Sequence, residues 1–453
     1  MKKIKDLLKY ILIFGVVLSI CMLSLYFSCL IPSSKLKANI GESLPVIMKF
    51  GSKLHVAIFH KIITFDTFAD AMMINTAYSI DSKHPFYSML FARSNYVDGV
   101  TSKTYQDEAC QVDKLLPAVP QVDDLVDLTN GENLIAIEYA RYWHGYLVYL
   151  RPLLTLFNYN EIRIISFIFH YILISILLYY IKKKIGKKYL IAVIFGMVVT
   201  EGYLVYTCLE ETIGYSFILI ESIFLLRVDI KNYEKYFFVV GMLTAFFDLL
   251  TIPVVILLFP LILYVLINPK ENVKLLIKKC IKYCILFGIG YASMWFSKWL
   301  FVDAIYGRNL IKNAIGQAIY RVDGTKAGLS SALIKNLYYI GIPVAVYIGI
   351  IYLINIIMTI YEKIRFKKLD KTLQCNLLLE IIGILPIVWY IVVREHSLGH
   401  AYFTYRNLLA TCMSTQIMMI NLIDQRVKKY KSIAFAIFIM IDIIVIILKY
   451  YII

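Results

Sequence analysis

Residues 1–30 read MKKIKDLLKYILIFGVVLSICMLSLYFSCL. The run 10–30 carries no charge, and as a helix rising 1.5 Å per residue it crosses the hydrocarbon core of a bilayer. Lysines precede it, as in a secretory signal. The run is long for the apolar part of such a signal, however, and Ser33-Ser34-Lys35 is a weak cleavage site, so a retained first helix is expected.

Outward from this run the same pattern recurs. Of 453 residues, 60% are hydrophobic and 17% charged, and the mean hydropathy is +0.70. A soluble chain of this size carries about 25% charged residues. The composition therefore excludes a soluble enzyme, and the number of apolar runs excludes a chain held by one anchor. Further runs fall at 164–181, 189–209 (interrupted by Glu201), 213–226, two within 237–267 around Asp248, 281–301, 337–360, 377–393, 403–423 and 432–448. The expectation is an all-α, polytopic bundle of about 11 transmembrane helices with a long, largely helical first extracellular loop. It divides into 1–163 (first helix, outer loop and juxtamembrane helices), 164–302 (central helices), 303–336 (a second outer loop) and 337–453 (C-terminal helices).

The net charge of +16 agrees with this reading. Lysine-rich segments at 182–188, 227–236, 268–282, 361–371 and 426–431 all fall on one side when the N-terminus is cytoplasmic. Segments 31–140, 303–336 and 395–402 then lie outside the membrane. The charge is explained without nucleic acid, which is not expected as a partner. Most of the eight cysteines sit in apolar runs; Cys110 alone lies well within a long polar segment, and no disulfide framework or metal-binding pair follows. No internal repeat is evident, which counts against a secondary transporter.

Polar residues that membrane insertion leaves unexplained fall into four groups. In the outer loop, Asp66 and Asp70 are four apart and share a face if 66–78 is helical; two such carboxylates welcome a cation, a shared proton or an incoming hydroxyl. Helix capping is the plainer alternative. Asn75 extends their polar edge, and Asp123-Asp124 with Asp127 forms a second acidic cluster. At 138–154, Arg141, His144 and Arg151 stand among tyrosines and a tryptophan, either as an interfacial belt or as phosphate donors. Asp248 interrupts an apolar crossing and needs water, a donor or a cation. Near the C-terminus, His396 and His400 are four apart and Arg406 opens the next run. A zinc site would need a third ligand that the sequence does not show, whereas a His pair with Arg suits a phosphate leaving group.

Segments 66–75, 139–146, 241–253 and 396–406 together resemble a pattern in uncharacterised polytopic envelope proteins of Gram-positive bacteria, over most of the chain. That group has no assigned reaction. A broader, fold-level resemblance is to membrane glycosyltransferases of the C-type superfamily. It implies eleven to thirteen helices, a long first outer loop with an essential acid, and a polyprenyl-phosphate-linked sugar as donor. The chain departs from that pattern: Asp66 lies more than thirty residues beyond the first helix, and Asp123-Asp124 competes for its role.

The expectation is a lipid-linked glycosyltransferase that moves a sugar to a cell-envelope glycan acceptor among membrane lipids. Asp66 or Asp70 acts on the acceptor hydroxyl. His396, His400 and Arg406, joined by Arg141, hold the departing phosphate, and Asn75, His144, Arg151 and Asp248 are further binding candidates. No cofactor is demanded; a divalent metal ion between the carboxylates is the one the pattern admits. A transporter or flippase of a lipid-linked precursor, and a glycan polymerase or ligase, are the alternatives.

Overall fold

The computed structural model describes residues 2–96, 121–130, 135–230, 232–323, 328–427 and 429–451. Cys110 and the side chains of Asp123 and Asp124 lie outside the described residues, so the second acidic cluster is not placed. Among the described residues the fold is all-α apart from two small antiparallel sheets, Leu54–Ile58 with Lys61–Phe65 and Ser94–Tyr96 with Ile135–Ile137. Among the described residues five helices are long and apolar enough to cross a membrane: Ile4–Cys29, Tyr159–Lys184, Ile342–Phe366, Lys371–Val392 and Lys431–Tyr451.

Local sequence sets where these helices start and stop. Tyr159–Lys184 opens on a reciprocal capping box between Asn158 and Glu161 and closes on three lysines, which complement the partial negative charge of its C-terminus. Asp370 caps Lys371–Val392 by accepting from the Leu373 amide. Along the first helix Leu7, Leu12, Ile20, Leu23 and Phe27 face outward. Water would disfavour such a surface, whereas acyl chains match it.

Several expected runs are broken in ways that matter. The run 189–209 is the helix Leu190–Val199 followed by an irregular passage at 200–208, where Glu201 adopts a φ of 52°. The region 237–267 forms two helices, Tyr233–Phe247 and Pro253–Ile267, with Asp248 at the C-terminal cap of the first. Residues 337–360 do not form one helix. Leu329–Ile340 ends at Gly341, whose φ of 102° only glycine adopts easily, and Ile342–Phe366 starts afresh behind it. The run 403–423 begins as two short turns, Ala401–Thr404 and Tyr405–Leu408, before Leu409–Arg426.

Ion pairs join the lysine-rich segments to one another. Asp424 receives both Lys188 and Lys431, Arg426 bridges Glu362 and Asp370, and Lys282 pairs with Glu234 at 2.6 Å. Elsewhere the Leu54–Phe65 hairpin docks on the end of the last helix: the His60 amide donates to the Tyr450 carbonyl at 3.1 Å, and Phe59 stacks on Tyr451.

Tyr233–Phe247 and Val273–Tyr306 cross backbone to backbone at two glycines. A Cβ on Gly241 would fall on the Phe287 carbonyl, and one on Gly290 on the Phe238 carbonyl. Small residues permit such close approach in membrane bundles. Because backbone cannot retreat like a side chain, Gly290→Leu is expected to destabilise the protein by about 1–3 kcal/mol, read as a lower midpoint of thermal unfolding in detergent. An unchanged midpoint would mean that the two helices do not meet there.

Candidate functional site

One cavity brings the N-terminal loop and the His-containing turn together. It measures about 590 Å³ and is lined by Asp66, Glu210, Arg321, Lys335, Glu395, His396 and His400 among the polar residues, with Tyr139, Tyr142 and Tyr320 beside them. Ligand pockets run from roughly 300 to 1,000 Å³.

Asp66 reaches this cavity because it caps the Thr67–Tyr78 helix. Its Oδ1 accepts from the Ala69 amide at 3.2 Å, and its Oδ2 accepts from the Tyr402 hydroxyl at 2.6 Å. Burial raises its carboxyl pKa above the ordinary value, opposed by the Tyr402 bond, the Ala69 amide and the charge of Lys53. Lys53 itself sits over the Tyr402 ring, 4.6 Å from its centre. Glu210 stands in the first turn of Leu209–Arg227, and its Oε1 accepts from Thr251 at 2.8 Å.

The opposite charge comes from Arg321, carried on the Leu310–Asp323 helix. Its Nη1 lies 2.8 Å from His396 Nδ1 and its Nη2 donates to the Tyr142 hydroxyl at 3.3 Å. His396 Nε2 lies 3.0 Å from the Leu250 carbonyl. A carbonyl only accepts and a guanidinium only donates, so His396 carries its proton on Nε2 and presents Nδ1 as an acceptor. Burial, then His400 and Arg321 beside it, hold the His396 pKa well below its usual value. It therefore aims the guanidinium rather than exchanging protons near neutral pH. The two histidine rings lie 4.8 Å apart. Among the described residues no group of three or more His, Cys, Asp and Glu is placed to hold a metal ion.

The remaining expected site residues stand elsewhere. Asp70 does not join Asp66. It turns into the protein, where Oδ1 accepts from the Leu209 amide at 2.8 Å and Oδ2 from the Tyr159 hydroxyl at 2.5 Å, and burial pushes its pKa up to about 6. Its place is at the N-terminus of Leu209–Arg227, aligned with the positive end of that helix. Asn75 is buried and accepts from the Ser79 hydroxyl. His144 has a φ of 54° and lies between Tyr146 and the Tyr139 carbonyl, and burial lowers its pKa to about 3. The next residue, Gly145, leaves no room for a Cβ against the Phe246 carbonyl. Arg141 donates to Asn313 at 3.2 Å. Arg151 is buried and donates to the carbonyls of Ser28, Ile31 and Ala77. Asp248 Oδ1 accepts from the Ile252 amide. Arg406 is fully buried, with Nη1 3.1 Å from both Glu211 Oε1 and the Tyr402 carbonyl. It supports the residue that holds Asp66, and it does not line the cavity.

Sequence reasoning missed Glu210, Arg321, Lys335 and Tyr402 as site residues. Arg321 left a usable signal: Asn313, Gln317 and Arg321 recur at helical spacing, opposite Ile315, Ile319 and Val322.

The protein so defined is helical, with several helices long and apolar enough to cross a membrane, and a cavity in which carboxylates face a guanidinium. No family model matches the chain, and neither a curated protein nor a solved structure shows significant similarity to it.

Proposed function

We propose that the protein is a multi-pass transferase of the outer face of a bacterial plasma membrane, with about eleven spans and a cytoplasmic N-terminus. It moves a sugar from a polyprenyl-phosphate donor to an envelope glycan. The observation that carries this reading is the convergence of Asp66, Glu210, Arg321, His396 and His400 on one cavity.

The chemistry is a displacement at the anomeric carbon. The acceptor oxygen forms a bond to that carbon as the carbon–oxygen bond to the phosphate breaks, and the acceptor proton passes to a carboxylate. Asp66 takes that proton, with Glu210 as a second carboxyl beside it. The departing phosphate gains charge, which Arg321, oriented by His396 and assisted by Lys335, stabilises.

A transporter would place its ionisable residues along a path between the helices. Instead Glu380 accepts from Asn355 at 2.6 Å, Asp442 from Tyr347 at 2.7 Å, and Glu201 pairs with Lys449 at 2.6 Å. None of the three lines the cavity, which favours transfer.

The test is donor recognition. Arg321→Gln keeps hydrogen-bond donors and removes the charge. It is expected to weaken binding of a polyprenyl monophosphate by roughly ten- to a hundredfold, the value of one charge-assisted contact, measured on the purified protein in nanodiscs. Binding at the unsubstituted affinity, or no binding by the unsubstituted protein, defeats the proposal.

A further inference from the structure

The helix that carries Arg321 is inside out. In Leu310–Asp323 the outward positions Ile315, Ala318, Ile319 and Val322 form one apolar stripe, and Ile319 is 65% exposed. The inward face carries Gln317, which is buried, and Arg321, which reaches the cavity. The neighbouring Leu329–Ile340 helix repeats the arrangement. Ile334 is 63% exposed and Tyr338 also faces out, whereas Asn336 is buried and donates to the carbonyls of Ala332 and Ser397. A helix in water arranges its two faces the other way round.

Both helices pack against the short Arg394–Gly399 helix that bears His396. Their apolar faces continue a surface already set: Leu300 and Ile305 face outward on Val273–Tyr306, which leads directly into Leu310–Asp323. Lys312 stands at the N-terminal end of the stripe and is exposed, as expected where lipid phosphates lie, while Arg308 before it lies 3.6 Å from Glu138.

We infer that Leu310–Asp323 and Leu329–Ile340 are seated in the bilayer interface, their apolar faces among the acyl chains and their polar faces turned to the cavity. The partner of this surface is lipid. The inference rests on the long apolar helices crossing the membrane and not on the transferase reading.

The full chain is reconstituted in phosphatidylcholine–phosphatidylglycerol vesicles as Ile319→Cys, Ile334→Cys or Lys312→Cys, with the unsubstituted protein as background. A membrane-impermeant charged maleimide is expected to modify the Lys312→Cys protein roughly tenfold faster than the other two. A fluorophore placed through Ile319→Cys or Ile334→Cys is expected to be quenched by acyl-chain nitroxide lipids more strongly than one placed through Lys312→Cys. Equal modification rates overturn the inference. So does a rate contrast without lipid quenching, which would mean that protein rather than lipid covers the stripe. Neither readout uses sugar transfer, so lipid contact by an inactive protein would tell only against the proposed function.

Discussion

Asp66→Asn is expected to lower sugar transfer by roughly 10²- to 10⁴-fold, the contribution of a positioned general base, while the protein still folds and inserts. The amide keeps an acceptor for the Ala69 N–H, and Asn caps helices as well as Asp does. The loss should therefore appear in kcat with little change in KM. The pH profile gives an independent check. Burial raises the Asp66 pKa, so the base is ionised only above that raised value, and activity should fall as pH drops through it, above the ordinary carboxylate value of about 3.9. The Tyr402 hydroxyl favours the ionised form. Tyr402→Phe should raise the pKa further and move the acidic limb to higher pH, and Lys53→Met should move it the same way through the lost charge. Asp70→Asn should instead lower the unfolding midpoint, because Asp70 holds the start of Leu209–Arg227. Normal turnover in the Asp66→Asn protein would remove Asp66 from the chemistry.

Why Asp66 was readable and its partners were not follows from the range over which each signal acts. Asp66 precedes a helical stretch at a capping position, which is a local property of the chain. Its approach to His396 and His400 was expected only because both segments fall on the same predicted side of the membrane. Arg321 was hidden differently. Charges in a loop between apolar runs look solvated, and only the stripe Ile315, Ile319 and Val322 on the other face shows that this segment has an inside. Asp70 and Arg406 misled for the opposite reason. Each is the kind of residue that chemistry uses, but each serves packing: Asp70 at a helix N-terminus, and Arg406 against Glu211 and between the rings of Phe65 and Tyr405. Hydropathy located the apolar runs, but it does not register the left-handed turn at Gly341 or the irregular passage at Glu201. A backbone break changes few side chains.

Arg151→Met is expected to destabilise the folded protein by about 3–5 kcal/mol, since buried carbonyls lose charged donors. The guanidinium Nε donates to the Ser28 carbonyl at 3.0 Å, and its two terminal nitrogens reach Ile31 and Ala77. The Ser28 and Ala77 carbonyls lie in the last turns of the Lys2–Cys29 and Thr67–Tyr78 helices, where intrahelical donors run out and partial negative charge collects, and Ile31 follows just beyond the first. One planar fork thus closes the first helix and the helix that Asp66 caps. Methionine fills a similar volume and offers no donor, while lysine keeps the charge but cannot place three donors in the same plane. Arg151→Lys should therefore fall between methionine and arginine in thermal unfolding. A residue that bound the donor phosphate would behave otherwise: its loss would raise KM for the lipid-linked sugar and leave the unfolding midpoint in place. An Arg151→Met protein with normal stability and a raised KM would return Arg151 to the binding site, and would show that the ends of these two helices are held together by other contacts.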